Sequence, residues 1–158
     1  MKTTLFFALA VFAAAKPYAQ QLSQEVTRQL EALPHHGVFD NLNYTIDGSK
    51  VTLFGQVVNP DLKSSAEKAL RRVAGVTSVD NQLQVLPDDL VDQDIRAGVY
   101  RKLVLALQSG TAIHIVVDHQ NVTLVGHART LGQKDLAAIL ANGVPLVATV
   151  TNDLIVAS

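Results

Sequence analysis

The sequence predicts an α+β chain of two tandem α-β-β-α-β modules, each a three-stranded mixed sheet with two helices on one face. Three observations predict it. The stretch "VTLFGQV" at 51–57 returns as "VTLVGHA" at 122–128. One offset of 71 then carries Asp47, Gly55, Val79, Asn81, Leu83 and Val85 onto Asp118, Gly126, Val150, Asn152, Leu154 and Val156 without a gap. Such a run is the signature of an internal repeat. Finally, the apolar period switches between helical and alternating spacing in the same order in both halves. Upstream the offset is 73, taking Leu22, Val26 and Leu30 to Ile95, Val99 and Leu103. The first copy therefore carries two extra residues around "PHHGVFDN".

Each element follows from its residues. Leu22, Val26, Leu30 and Leu33 recur at helical spacing and predict an amphipathic helix of about three turns. "LNYTI" alternates, with Leu42, Tyr44 and Ile46 on one face. "DGSK" at 47–50 is turn chemistry, because Asp-Gly supplies positive φ. "VTLFGQV" returns with Val51, Leu53 and Val57 inward. Asn59 predicts an N-cap, Pro60 the first helical position, and Asp61 suits the positive end of the helix dipole. Glu67 and Arg71 are spaced to pair, and Gly75 is the expected helix stop. "VTSVDNQLQV" is the last strand, parallel to the second across the helical crossover. In the second copy Thr130 takes the cap, and Asn142-Gly143 is expected to stop the helix earlier.

Hydrophobic residues at 48% and charged residues at 17% describe a globular chain. Thirteen basic against 14 acidic residues give no field to capture nucleic acid, and no nucleic-acid partner is expected. There is no cysteine, which removes thiol catalysis, thiolate metal sites, disulfides and a lipoprotein anchor. Lys2, the apolar run "LFFALAVFAAA" at 5–15 and the small residues that follow read as an export signal cleaved after Ala15 or Ala19. That run is short of the roughly 20 residues needed to span a bilayer. The expected organisation is a signal peptide at 1–19, one module at 20–87 and a second at 88–158. The mature chain is expected in the periplasm or outside the cell.

The repeat resembles the BON domain. The likeness rests on "VTLFGQV" with Gly55, the helix after Pro60 and "VAGVTSVDNQLQV" at 73–85, and in the second copy on "NVTLVGHA", Gly126 and "VATVTNDLIV". The second copy departs in its second helix, where "AAILAN" replaces "EKALRR". The resemblance implies a non-enzymatic module of the bacterial envelope. It would bind phospholipid membrane or another envelope component and be tied to osmotic or envelope stress.

No catalytic constellation is legible. There is no GxSxG elbow, Walker loop, dinucleotide fingerprint or HExxH, and no cofactor is expected. His114 and His127 are expected on adjacent strands of the second hairpin, within conceivable reach of Asp153. The first copy puts Asn43 and Gln56 there, so both histidines read as occupants of a solvated face rather than metal ligands. His119 matches Gly48 in a turn, and His35-His36 fall in the extended loop. Asp88, Asp89, Asp92 and Asp94 read as acids at a helix start rather than a calcium loop. Gly55 and Gly126, alone in their strands, read as close-packing positions.

The copies differ in their first helix. The first is polar outside its core positions, whereas "IRAGVYRKLVLALQ" at 95–108 adds Tyr100, Val104 and Leu105 beside Arg101 and Lys102. Apolar residues off a core face must meet something. Two readings stand: a membrane or partner surface in which tyrosine and cations suit a lipid interface, or packing against the first module. A protein partner docked on an open sheet face or edge is the alternative role.

Overall fold

The computed structural model describes the backbone of residues 11–107 and 112–156, and side chains from Tyr18 onward. The elements run α1 (Val11–Glu31), β1 (Asn41–Asp47), β2 (Lys50–Val57), α2 (Pro60–Leu70), β3 (Ser78–Asn81), β4 (Gln84–Val85), α3 (Leu90–Ala106), β5 (Ile113–Asp118), β6 (Asn121–Ala128), α4 (Leu131–Asn142) and β7 (Thr149–Val156). β1 is antiparallel to β2, which runs parallel to β3 and β4; β5, β6 and β7 repeat that arrangement. Residues 1–10 of the expected export segment lie outside the described residues. The helix α1 runs back through both expected cleavage positions.

The duplication extends to register. Lys50 pairs with Ser78 and Val57 with Val85, just as Asn121 pairs with Thr149 and Ala128 with Val156. The single last strand expected in the first module is two short strands. Because Gln56 still pairs with Gln84, the lapse at Gln82–Leu83 is a gap in the ladder and not a slip. There the Leu83 N–H meets the Asn81 side-chain oxygen at 3.3 Å.

Each module buries its own core. Leu22, Val26 and Leu30 of α1 and Leu62, Ala66 and Leu70 of α2 close over Val51, Leu53 and Val57 of β2. In the second core Ile95, Val99 and Leu103 of α3 and Ala137 and Ala141 of α4 cover Ile115, Val117, Val122, Leu124 and Leu154. Each such leucine or isoleucine contributes roughly 1.5–3 kcal/mol by leaving water. The caps fall where the sequence puts them: Asn59 accepts from the Asp61 N–H and Thr130 from the Gln133 N–H. α2 ends at Leu70, five residues before Gly75. Three-residue turns (Arg72 to Ala69, Val73 to Leu70) unwind it early, which drops Val73 into the core. Gly75, at φ 95°, then reverses the chain toward β3. α4 ends at Asn142, so the two helices stop within one residue of equivalence rather than at different lengths.

The extra residues of the first copy join the modules. The Ile115 N–H of the β5 edge donates to Val38 O at 2.8 Å. Val38 and Phe39, although they precede β1, pack against the core of the second module. The Asp40 carboxylate, 1% exposed, accepts from the Gly37 and Val58 N–H groups and pins this strap to the end of β2. Among the described residues, no helix is long and apolar enough to cross a membrane.

Candidate functional site: the helical layer of the second module

α3 begins at Leu90, where the Asp89 side chain accepts the N–H groups of Val91 and Asp92. Asp92 does something the sequence did not suggest. Its carboxylate is buried, and its two oxygens accept the His119 and Gln120 N–H groups at 2.9 and 2.7 Å. Those residues form the β5–β6 turn with φ 48° and 66°, the twin positive values of a type I′ turn, without the glycine or asparagine that usually makes it easy. Arg96, also buried, donates through Nη2 to Val117 O at 2.7 Å. Burial pushes the Arg96 guanidinium below its ordinary value, and the carboxylates of Asp92 and Asp118 oppose that. α3 is thus clamped to its hairpin from beneath, which fixes the outward aim of its remaining residues.

The residues singled out on α3 part company. The Tyr100 ring packs edge-to-face on Phe39 of the strap, centroids 5.9 Å apart, and is 41% exposed. It serves the module junction and solvent together. Lys102 directs its ammonium onto Gly143 O at the C-terminus of α4, a favoured place for a cation. Arg101 is exposed, with its Nε 3.4 Å from Ala97 O. Val104 and Leu105 are 55% and 88% exposed.

α4 supplies what the sequence reading missed. Leu136 and Ile139 are exposed, the latter by 68%. Gly98 and Lys102 face α4, since a Cβ on Gly98 would lie 2.8 Å from Val144 and Lys102 reaches Gly143. Leu105 continues that stripe at i+7 from Gly98, and Leu136 and Ile139 continue the α4 stripe from Gly143. Leu105, Leu136 and Ile139 therefore gather along the seam of the two helices, while Val104 follows Tyr100 at i+4 on another side of α3. The repeat identifies them as specific to this copy, because Leu136 and Ile139 stand where the first module has Ser65 and Lys68. The replacement of "EKALRR" by "AAILAN" was the legible signal for Ile139, whereas Leu136 in place of Ser65 lies just before that stretch. Leu146 belongs with them: it is exposed, at φ 70°, where the first module has Gly75.

The structural glycines are held by geometry. Gly55 and Gly126 have φ 114° and 116°, and an added Cβ would lie 1.9 and 2.0 Å from the carbonyl oxygens of Asn41 and Ala112. The crowding comes from the neighbouring strand, not from a helix. A Cβ on Gly75 would lie 2.3 Å from the Tyr18 hydroxyl. His114 and His127 fall on the outer sheet side, His119 in the hairpin turn, and His35 and His36 in the loop before β1. His114 and His127 line a cleft with Asp153, and the His36 ring stacks on His114 at 6.3 Å. Among the described residues no group of three or more histidines, acids or cysteines is placed to hold a metal ion.

Two like modules with separate cores and a shared strap define a tandem small-domain protein. The BON domain model matches twice, over residues 19–87 and 91–158, and the chain belongs to the BON domain family. That family comprises non-catalytic structural and binding modules, typically of the periplasm and envelope. No curated protein matches the chain. Two solved structures are similar to this chain at 10% and 11% identity, covering 87% of it. Both are of CdsD, a structural protein of the type III secretion system of Chlamydia trachomatis; 98% of one and 94% of the other is covered, at TM-scores of 0.39 and 0.36. Likeness at that level carries no functional argument.

Proposed function

We propose that this chain is an exported, non-enzymatic protein that adheres to phospholipid membrane through the helical layer of its second module. Its role is maintenance of the envelope under osmotic stress. Export rests on the N-terminal run at 1–19, and the module boundaries at 20–87 and 88–158 follow the repeat. The observation that carries the reading is the contrast between copies. Val104, Leu105, Leu136 and Ile139 are exposed on a layer whose first-module counterpart presents Ser65 and Lys68. A contiguous exposed apolar patch marks an interaction surface. Arg101 beside them suits anionic headgroups, each such cation adding about 1 kcal/mol near a charged bilayer. Inserting a side chain as exposed as Leu105 contributes roughly 1.5–3 kcal/mol.

Co-sedimentation with vesicles of mixed anionic and zwitterionic lipid tests this. Wild type is expected to pellet in a salt-sensitive way. Leu105→Asp and Ile139→Asp should each stay in the supernatant while melting at the wild-type temperature. Failure of wild type to pellet, or pelleting indifferent to both changes, sinks the membrane reading. One observation favours a second reading, a protein adaptor: β7 is an eight-residue edge strand, open to strand addition. A stoichiometric protein crosslink at β7, without lipid binding, would select it.

A further inference from the structure

We propose that the cleft between the outer faces of the two sheets binds a neutral glycan segment. The cleft encloses about 470 Å³, within the usual range for small-molecule sites. It is built by the duplication itself. Asn43 and Phe54 form a cross-strand row in the first module, and their equivalents His114 and Val125 form one with Asp153 in the second. Both rows line the same cleft. The strap holds them together through the Val38–Ile115 hydrogen bond and the His36–His114 stack.

The lining chooses among ligands. Among the described residues it contains no lysine or arginine, so a phosphate or anionic headgroup finds no countercharge there. Of its two carboxylates, Asp40 already accepts two backbone N–H groups, which leaves Asp153 for a ligand donor. Phe54 and Ile155 are exposed on the cleft walls and offer apolar faces between the polar groups. The Nδ1 of His114 is buried without a hydrogen-bond partner. An extended peptide is a poorer fit, because Val38 already occupies the β5 edge at Ile115. A sugar ring meets all of these conditions. Its C–H face lies on Phe54, and its hydroxyls donate to Asp153.

The test is an amide-resolved NMR titration of the full chain with chitotetraose, cellotetraose and maltotetraose. At least one neutral tetrasaccharide should shift the Phe54, His114 and Val125 amides saturably. Phe54→Ala should weaken that binding at least about tenfold and Asp153→Asn at least about threefold, each with an unchanged melting temperature and unchanged vesicle pelleting. The cleft is remote from Leu105 and Ile139 in the repeat's geometry, so pelleting and glycan binding succeed or fail separately. No saturable shift with any of the three up to about 10 mM overturns the proposal. So does binding that survives both substitutions, or zinc ion or inorganic phosphate shifting these amides where the sugars do not.

Discussion

Replacing Asp92 by alanine isolates the strut that holds the second hairpin to its helix. The carboxylate accepts two backbone N–H groups, at 2.9 and 2.7 Å, from residues held at φ 48° and 66°. Hydrogen bonds to a charged acceptor contribute about 1.5–3 kcal/mol each, and left-handed backbone at a non-glycine residue costs roughly 1–2 kcal/mol. His119 and Gln120 are exposed, so water recovers part of the lost bonding. The net expectation for Asp92→Ala is a loss of about 2–4 kcal/mol. For a chain of this length that is a melting-temperature drop of roughly 5–15 °C. Urea unfolding followed by circular dichroism reads it directly. The cause is separable from the loss of a countercharge near Arg96. Changing His119→Asn and Gln120→Gly together installs a turn that adopts positive φ unaided. In that background Asp92→Ala should cost at least about 1 kcal/mol less. A single-variant cost under about 1 kcal/mol, or no difference between backgrounds, would refute the strut.

Gly126→Ala and Gly55→Ala should each cost about 3 kcal/mol or more by chemical denaturation, because the new Cβ meets a carbonyl oxygen at 2.0 or 1.9 Å in a strained backbone region. Gly132→Ala in α4, whose Cβ would find its nearest atom at 3.9 Å, should be neutral or stabilising and serves as the control. Leu146→Gly should raise stability by about 1 kcal/mol, since the equivalent position in the first module is already Gly75; a lowered melting temperature would contradict it. Hydrogen bonds from Arg28, then Gln29, hold the Glu25 carboxyl down at about 2 from its ordinary 4.5. A depressed carboxyl stabilises the fold fully above the unfolded value and loses that contribution as the pH falls from about 4.5 toward 2. A carboxyl-carbon NMR titration should therefore place Glu25 well below free glutamate, and added salt should move it back.

Much of the architecture was legible because it was written twice. Cap residues, hairpin positions and inward-facing residues depend on local sequence, and the second copy checked each one. The stop expected at Gly75 failed because the need to bury Val73 overrode the glycine signal. On α3 the sequence could mark Tyr100, Lys102 and Leu105 as surplus to the core but could not tell them apart. One packs on Phe39, one caps α4 and one faces solvent. Ile139 was visible as a departure from "EKALRR", yet the significance of that departure, and of Leu136 before it, depended on where α4 lies beside α3.

The amino-acid order by itself determined the two modules, their order of elements and their inward-facing residues, since period, caps and turn residues act over a few neighbours along the chain. Only the tertiary structure decided how the copies meet. Asp40, Asp92 and the Val38–Phe39 strap act on groups tens of residues away, and the outer sheet faces share a cleft because that strap crosses between them. Contacts between distant segments depend on where folding brings each surface, and no local pattern records that.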